Sequence, residues 1–121
     1  MTQSPNPKPY DLEERTYQFA RSCREFVKKL PRTICNMEDG KQLVRSSGSV
    51  AANYIEANES ISRKDFALRV KIARKEAKES RLWLRLCEVG EERASEDDRQ
   101  KLIAEAVELG KIFGSILEKT K

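Results

Sequence analysis

The sequence predicts an all-α chain folded as an antiparallel up-down-up-down bundle of four helices. Three observations lead there. Apolar residues recur at helical spacing almost from end to end. Few Gly or Pro residues interrupt the chain after Tyr10, and no stretch alternates β-branched and polar residues as a half-buried strand does. The connections between periodic segments are short, which favours neighbouring helices that run in opposite directions.

The elements follow in order. Residues 1–10, with Pro5, Pro7 and Pro9, read as a flexible tail without the apolar core of a signal peptide. In the first helix Leu12, Thr16, Phe19, Cys23, Phe26 and Leu30 recur at alternating intervals of four and three, and Pro31 stops it. The second starts near Asn36, with Gly40 weakening its first turns. Its inward row is Leu43, Ser47, Val50 and Tyr54, widened by Val44, Ala51 and Ile55. Ser62 is the expected cap of the third, with Asp65 three residues on and Ile61 and Phe66 at the staple positions. That helix is expected to run to about Val89, with Gly90 as its stop. Ser95, followed by Glu96, Asp97 and Asp98, is expected to cap the fourth, whose inward row is Leu102, Ala106, Leu109, Phe113 and Ile116. Residues 11–121 thus form one domain.

Composition excludes several kinds of chemistry. The chain has 121 residues, no histidine, and three cysteines, Cys23, Cys35 and Cys87, too far apart for a Cys-x-x-Cys pair. A Ser-His or Cys-His nucleophile cannot be built, nor the Glu-x-x-His pair of di-iron bundles, and a zinc site would need unusual ligands. No metal and no cofactor are expected. Charged residues make up 36% of the chain and mean hydropathy is −0.72, so the expectation is a cytoplasmic protein with no membrane partner.

The third helix has more faces than a monomeric bundle needs. Phe66, Val70, Ala73, Ala77, Leu84 and Cys87 form one apolar stripe. Leu68, Ile72, Leu82, Leu86 and Val89 form a second on nearly the opposite side, with Trp83 beside it. A second stripe left in water predicts a partner, and Leu68, Ile72, Leu82, Trp83 and Leu86 are the candidate interface between copies. Between the stripes, on one side only, run Lys71, Arg74, Lys78, Arg81 and Arg85, a basic ridge roughly 20 Å long. Like charges four apart weaken a helix by about 0.2–0.5 kcal/mol per pair. A ridge kept against that penalty either pairs with acids on the next helix or meets a polyanion such as RNA or DNA.

In the second helix the segment "RSSGSVAANYIE" has ten uncharged residues between Arg45 and Glu56. Within it Ser46, Ser49, Asn53 and Glu56 recur on one face. Together with Glu79 on the third helix, they are expected to form a structural polar network that sets register between helices or subunits. A catalytic pairing of Glu56 with Glu79 lacks any supporting ligand set or pocket in the sequence. Gly110 and Gly114, spaced Gly-x-x-x-Gly, point to close helix packing.

The stretch "QLVRSSGSVAANYIEA", Gln42 to Ala57, resembles the most recognisable segment of four-helix-bundle proteins of the bacterial 23S-rRNA intervening-sequence type. That segment has an Arg-Ser pair, a Ser, then Asn-x-x-Glu and a small residue, here Arg45, Ser46, Ser49, Asn53, Glu56 and Ala57. Asp65-Phe66, Ile72-Ala73 and Glu79 fit the same pattern over about residues 11–119, while Ala57 and Lys75-Glu76 stand where Gly and Gly-Ser are common. The resemblance implies a homopentameric ring. It also implies kinship with a branch that serves diversity-generating retroelements, in which a basic pentamer engages nucleic acid and a reverse transcriptase. The reading is a non-enzymatic oligomer that binds structured RNA or DNA through the ridge. The alternative is a homo-oligomeric scaffold that holds a protein partner and binds no nucleic acid itself.

Overall fold

The computed structural model describes residues 11–121; the expected tail lies outside them. Four helices follow one another: α1 (Leu12–Lys28), α2 (Ile34–Asn58), α3 (Arg63–Leu86) and α4 (Arg93–Lys119). Each packs against two neighbours, α1 and α3 each against α2 and α4, while the diagonal pairs stay apart. This is a four-helix bundle with one central core. Among the described residues there is no strand, and no helix is long and apolar enough to cross a membrane.

The core is the set of residues the helical period brings inward. The first-helix row from Leu12 to Leu30 is buried throughout, as are Leu43, Ser47, Val50 and Tyr54 from α2. Val70, Ala73, Ala77 and Leu84 come in from α3, and Leu102, Ala106, Leu109 and Phe113 from α4. Tyr54 and Phe113 meet across the bundle with ring centres 5.9 Å apart and planes tilted by 39°. At Gly40 a Cβ would come within 3.0 Å of the Val27 methyl, so glycine here admits α1 to the side of α2. Where apolar contact is thinnest, between α1 and α4, the Arg15 guanidinium grips Glu105 with two bonds of 2.7 and 2.8 Å.

Three helix ends differ from the expected ones, each for a local reason. Helix α2 begins at Ile34, because Thr33 accepts the Asn36 N–H and caps it. Helix α4 begins at Arg93, two residues before the expected cap: Ser95 turns inward and donates to the Glu92 carboxylate at 3.0 Å. Helix α3 stops at Leu86 and not near Val89. Cys87 is already extended (φ −62°, ψ 144°), and Gly90, with φ 76°, turns the following link.

The early stop of α3 is explained by Asn36. Its amide donates to the Glu88 carbonyl at 2.8 Å and accepts the Glu88 N–H at 2.9 Å, so one side chain replaces both helical partners of that backbone unit. The same amide nitrogen also donates to the Pro31 carbonyl at 3.0 Å. One buried side chain thereby ties the α1–α2 turn, the start of α2 and the exit of α3. Asn36→Ala strands these backbone groups and is expected to lower stability by about 2–4 kcal/mol. Urea unfolding measures this, and a loss below about 1 kcal/mol would contradict the role assigned to the amide.

Candidate nucleic-acid interface

Steps of three and four residues at about 100° each keep Lys71, Arg74, Lys78, Arg81 and Arg85 on one strip of α3. All five are exposed. None forms an ion pair with a carboxylate among the described residues. The alternative in which acids of α4 neutralise them is not met, and five of those acids contact cations elsewhere. Glu105 binds Arg15, Asp98 lies 4.0 Å from Lys29, Glu108 pairs with Lys111 on its own helix, and Glu118 pairs with Lys121 just past the helix end. Glu96 accepts bonds from Gln100 and Arg99, which hold its carboxyl below the ordinary range. The ridge keeps its two repulsive i,i+4 pairs, Arg74–Lys78 and Arg81–Arg85, without local compensation.

Beside the ridge, between α3 and α4, runs a furrow of about 240 Å³. Arg74, Lys78 and Arg81 line it from α3 and Lys111 from α4, with Ala77, Ala106, Val107 and Gly110 between them. Lys111 was beyond the reach of the sequence pattern, since it belongs to a different helix from the ridge. Gly110 and Gly114 do not serve close packing. A Cβ on Gly110 would meet no neighbouring atom within 4 Å, and the nearest atoms to one on Gly114 are those of the Arg74 guanidinium, at 3.7–3.8 Å, an ordinary contact distance.

The second stripe of α3 stays largely in water. Leu68, Leu82 and Leu86 are 53%, 44% and 49% exposed. Ile72 is half-buried, and half-buried Trp83 rests on the core, its buried indole N–H meeting no acceptor among the described residues. The neighbouring helices therefore do not wrap far enough to cover both stripes.

The polar row of α2 divides in two. Ser46 is fully buried and shares a hydrogen bond of 2.8 Å with Ser80 of α3, which in turn donates to the Glu76 carbonyl. Half-buried Asn53 donates to the Ser49 carbonyl and accepts from Arg69 at 3.1 Å. Glu79 is met by Arg45 at 3.2 Å, and Arg45 also reaches the buried Glu76 at 3.3 Å. Lys75 lies 4.0 Å from Glu79. Glu56 is exposed, and its side chain has no partner among the described residues. The structure thus brings Ser46, Asn53 and Glu79 into contacts between α2 and α3, with Ser49 and Glu56 outside them. Arg45 and Glu76, named in the sequence only for the family pattern, complete the layer with Arg69 and Ser80, which the sequence reading does not single out. Ser80, a polar residue set between Ala77 and Leu84 in the buried stripe, was the readable signal.

No group of three or more His, Cys, Asp or Glu side chains that could hold a metal ion occurs among the described residues. Burial pushes the Cys23 and Cys87 thiols up to about 12 and about 11, which holds them protonated and unreactive near neutrality.

The family model for the 23S rRNA-intervening sequence protein matches residues 9–115. A crystal structure from Bacteroides thetaiotaomicron VPI-5482, of a protein with unknown function from the S23 ribosomal protein family, is similar to this chain at a TM-score of 0.73 and 28% identity. The match covers 88% of this chain and 97% of that one. A search of curated proteins finds no match.

Lys78 has cationic neighbours at i−4, i−3 and i+3 and no acidic partner among the described residues. Lys78→Gln is therefore expected to leave stability unchanged or raise it by about 0.2–0.5 kcal/mol in thermal or urea unfolding. A loss of about 1 kcal/mol or more would mean that this position of the ridge is a structural element of the bundle.

Proposed function

The chain belongs to the 23S rRNA-intervening sequence protein family, and from that premise we propose that it is a non-enzymatic, cytoplasmic, oligomeric protein that binds structured RNA or DNA. The observation that carries this reading is the unpaired ridge. Five cations stand in water along one face of one helix, with mutual repulsion and no ion pair to a carboxylate among the described residues. A polyphosphate backbone relieves that repulsion and releases its own condensed counterions on binding. The ridge includes no aromatic side chain on which a base could stack, so contacts go to phosphate and groove shape, with little sequence discrimination.

The oligomer is the second part of the proposal. Leu68, Leu82 and Leu86 expose an apolar row on the side of α3 away from the core, flanked by Ile72 and Trp83. Contact with a further copy covers it. We take the assembly to be a homopentameric ring of antiparallel up-down-up-down bundles, as the family resemblance implies. Each copy brings a net charge of +4, so the ridge becomes a repeated, multivalent surface.

Fluorescence anisotropy of a labelled structured RNA and a matched DNA duplex, across a salt series, tests the reading on protein whose mass is set by light scattering. The logarithm of the binding constant is expected to fall linearly with that of salt, with a slope of about −0.9 for each phosphate neutralised on a duplex. The pair Lys78→Glu with Arg81→Glu is expected to weaken binding at least about tenfold and to flatten the slope. Leu82→Glu with Leu86→Glu is expected to reduce the particle to a monomer. Absence of binding at low salt would reject the nucleic-acid reading and favour the scaffold. A stoichiometric protein partner surviving nuclease would then be the result to seek.

A further inference from the structure

Helix α4 carries glycine at two interior positions where the fold does not require it. A glycine inside a helix is less favourable than alanine by about 0.8–1.0 kcal/mol. The usual compensation is a neighbour too close for a Cβ, as Val27 is at Gly40. Gly110 has no such neighbour: a Cβ there points into open space, and that space is the furrow between α3 and α4. Absence of a side chain keeps the floor low and leaves helix backbone exposed between two banks of cations.

Those banks give the furrow its chemistry. Arg74, Lys78 and Arg81 approach from α3 and Lys111 from α4, and no carboxylate among the described residues lines it. Lys111 is held only by an exposed pairing with Glu108 at 3.5 Å, which a stronger anion displaces easily. The Arg74 guanidinium lies over Gly114, so the second glycine leaves that side chain room across α4. Four cations from two helices around an apolar floor of Ala77, Ala106, Val107 and Gly110 suit a row of phosphodiesters, whose charges they meet from both sides.

We infer that this furrow is the seat of the nucleic-acid backbone: one phosphodiester segment lies between Arg74, Lys78 and Arg81 on one side and Lys111 on the other, over Gly110. The inference rests on the nucleic-acid reading and narrows it. Lys71 and Arg85, at the two ends of the ridge, lie outside the furrow and contribute less than the three cations between them.

The test uses full-length protein and labelled RNA in the anisotropy assay, with light scattering and thermal unfolding on every variant. Gly110→Gln fills the furrow without touching a cation and is expected to weaken binding roughly tenfold, while oligomer mass and unfolding temperature hold or rise. Gly110→Ala, a single methyl on the floor, is expected to raise the unfolding temperature and change affinity less than Gly110→Gln does. Lys111→Gln is expected to lower the salt slope by about 1. Folded Gly110→Gln protein that binds like the parent overturns the furrow and leaves the ridge reading intact. If Gly110→Gln fails to fold, Lys111→Gln decides alone, and an unchanged salt slope overturns the furrow. A parent protein that binds no RNA even at low salt overturns both.

Discussion

The rotation of α3 about its own axis is the constraint on which the rest of the molecule depends. A helix with two apolar stripes and a basic strip could turn any of them inward, and burial alone does not choose between two rows of similar size. The buried contact between Ser46 and Ser80 supports the choice. Two hydroxyls shielded from water must find each other, and at 2.8 Å they do, with Ser80 also donating to the Glu76 carbonyl. Turning α3 by a quarter would strand both and push Arg74 or Lys78 toward the core. Small residues at this contact let the two helices close on each other, and their polarity makes the fit specific.

From that rotation the division of labour on α3 follows. The side toward α2 is a layer of matched polar groups, with Arg45 spanning Glu76 and Glu79 and Arg69 reaching Asn53. The side toward α4 is the opposite case: its cations form no ion pair among the described residues, while Glu105 binds Arg15, Asp98 lies by Lys29, and Glu96 and Glu108 pair with cations on their own helix. Formal charge is near balance along the chain, with 24 basic and 20 acidic residues, yet its distribution is not. Acids that are locally spent cannot neutralise the ridge, and this segregation gives a modest net charge one strongly basic face.

Much of the fold was legible residue by residue. The inward rows of all four helices are at the positions the 3.6-residue period assigns, since that period is a property of the backbone and needs no knowledge of neighbours. The two stripes and the ridge of α3 were legible for the same reason. The helix ends were less so. The cap at Thr33 and the inward turn of Ser95 are local but compete with equally good residues nearby. The stop of α3 depends on Asn36, fifty-two positions away in the chain. No pattern in the third helix announces it, and Gly90 offered a plausible but later terminus. The Gly-x-x-x-Gly spacing of α4 points to close packing, but Gly110 faces open space, because spacing alone cannot distinguish a glycine pressed against a neighbour from one that is not.

The sequence by itself determined that four helices form, which residues each turns inward, and that α3 has more apolar surface than one bundle can use. These are consequences of short-range geometry. Tertiary structure alone decided which charges meet. Whether Lys78 is neutralised or Lys111 joins it depends on the distance between two helices and the turn of each about its axis, and electrostatic energy falls with separation in space, not along the chain. A basic residue on a helix is therefore readable as a position, but its availability to a phosphate is settled only when every nearby carboxylate has found its partner.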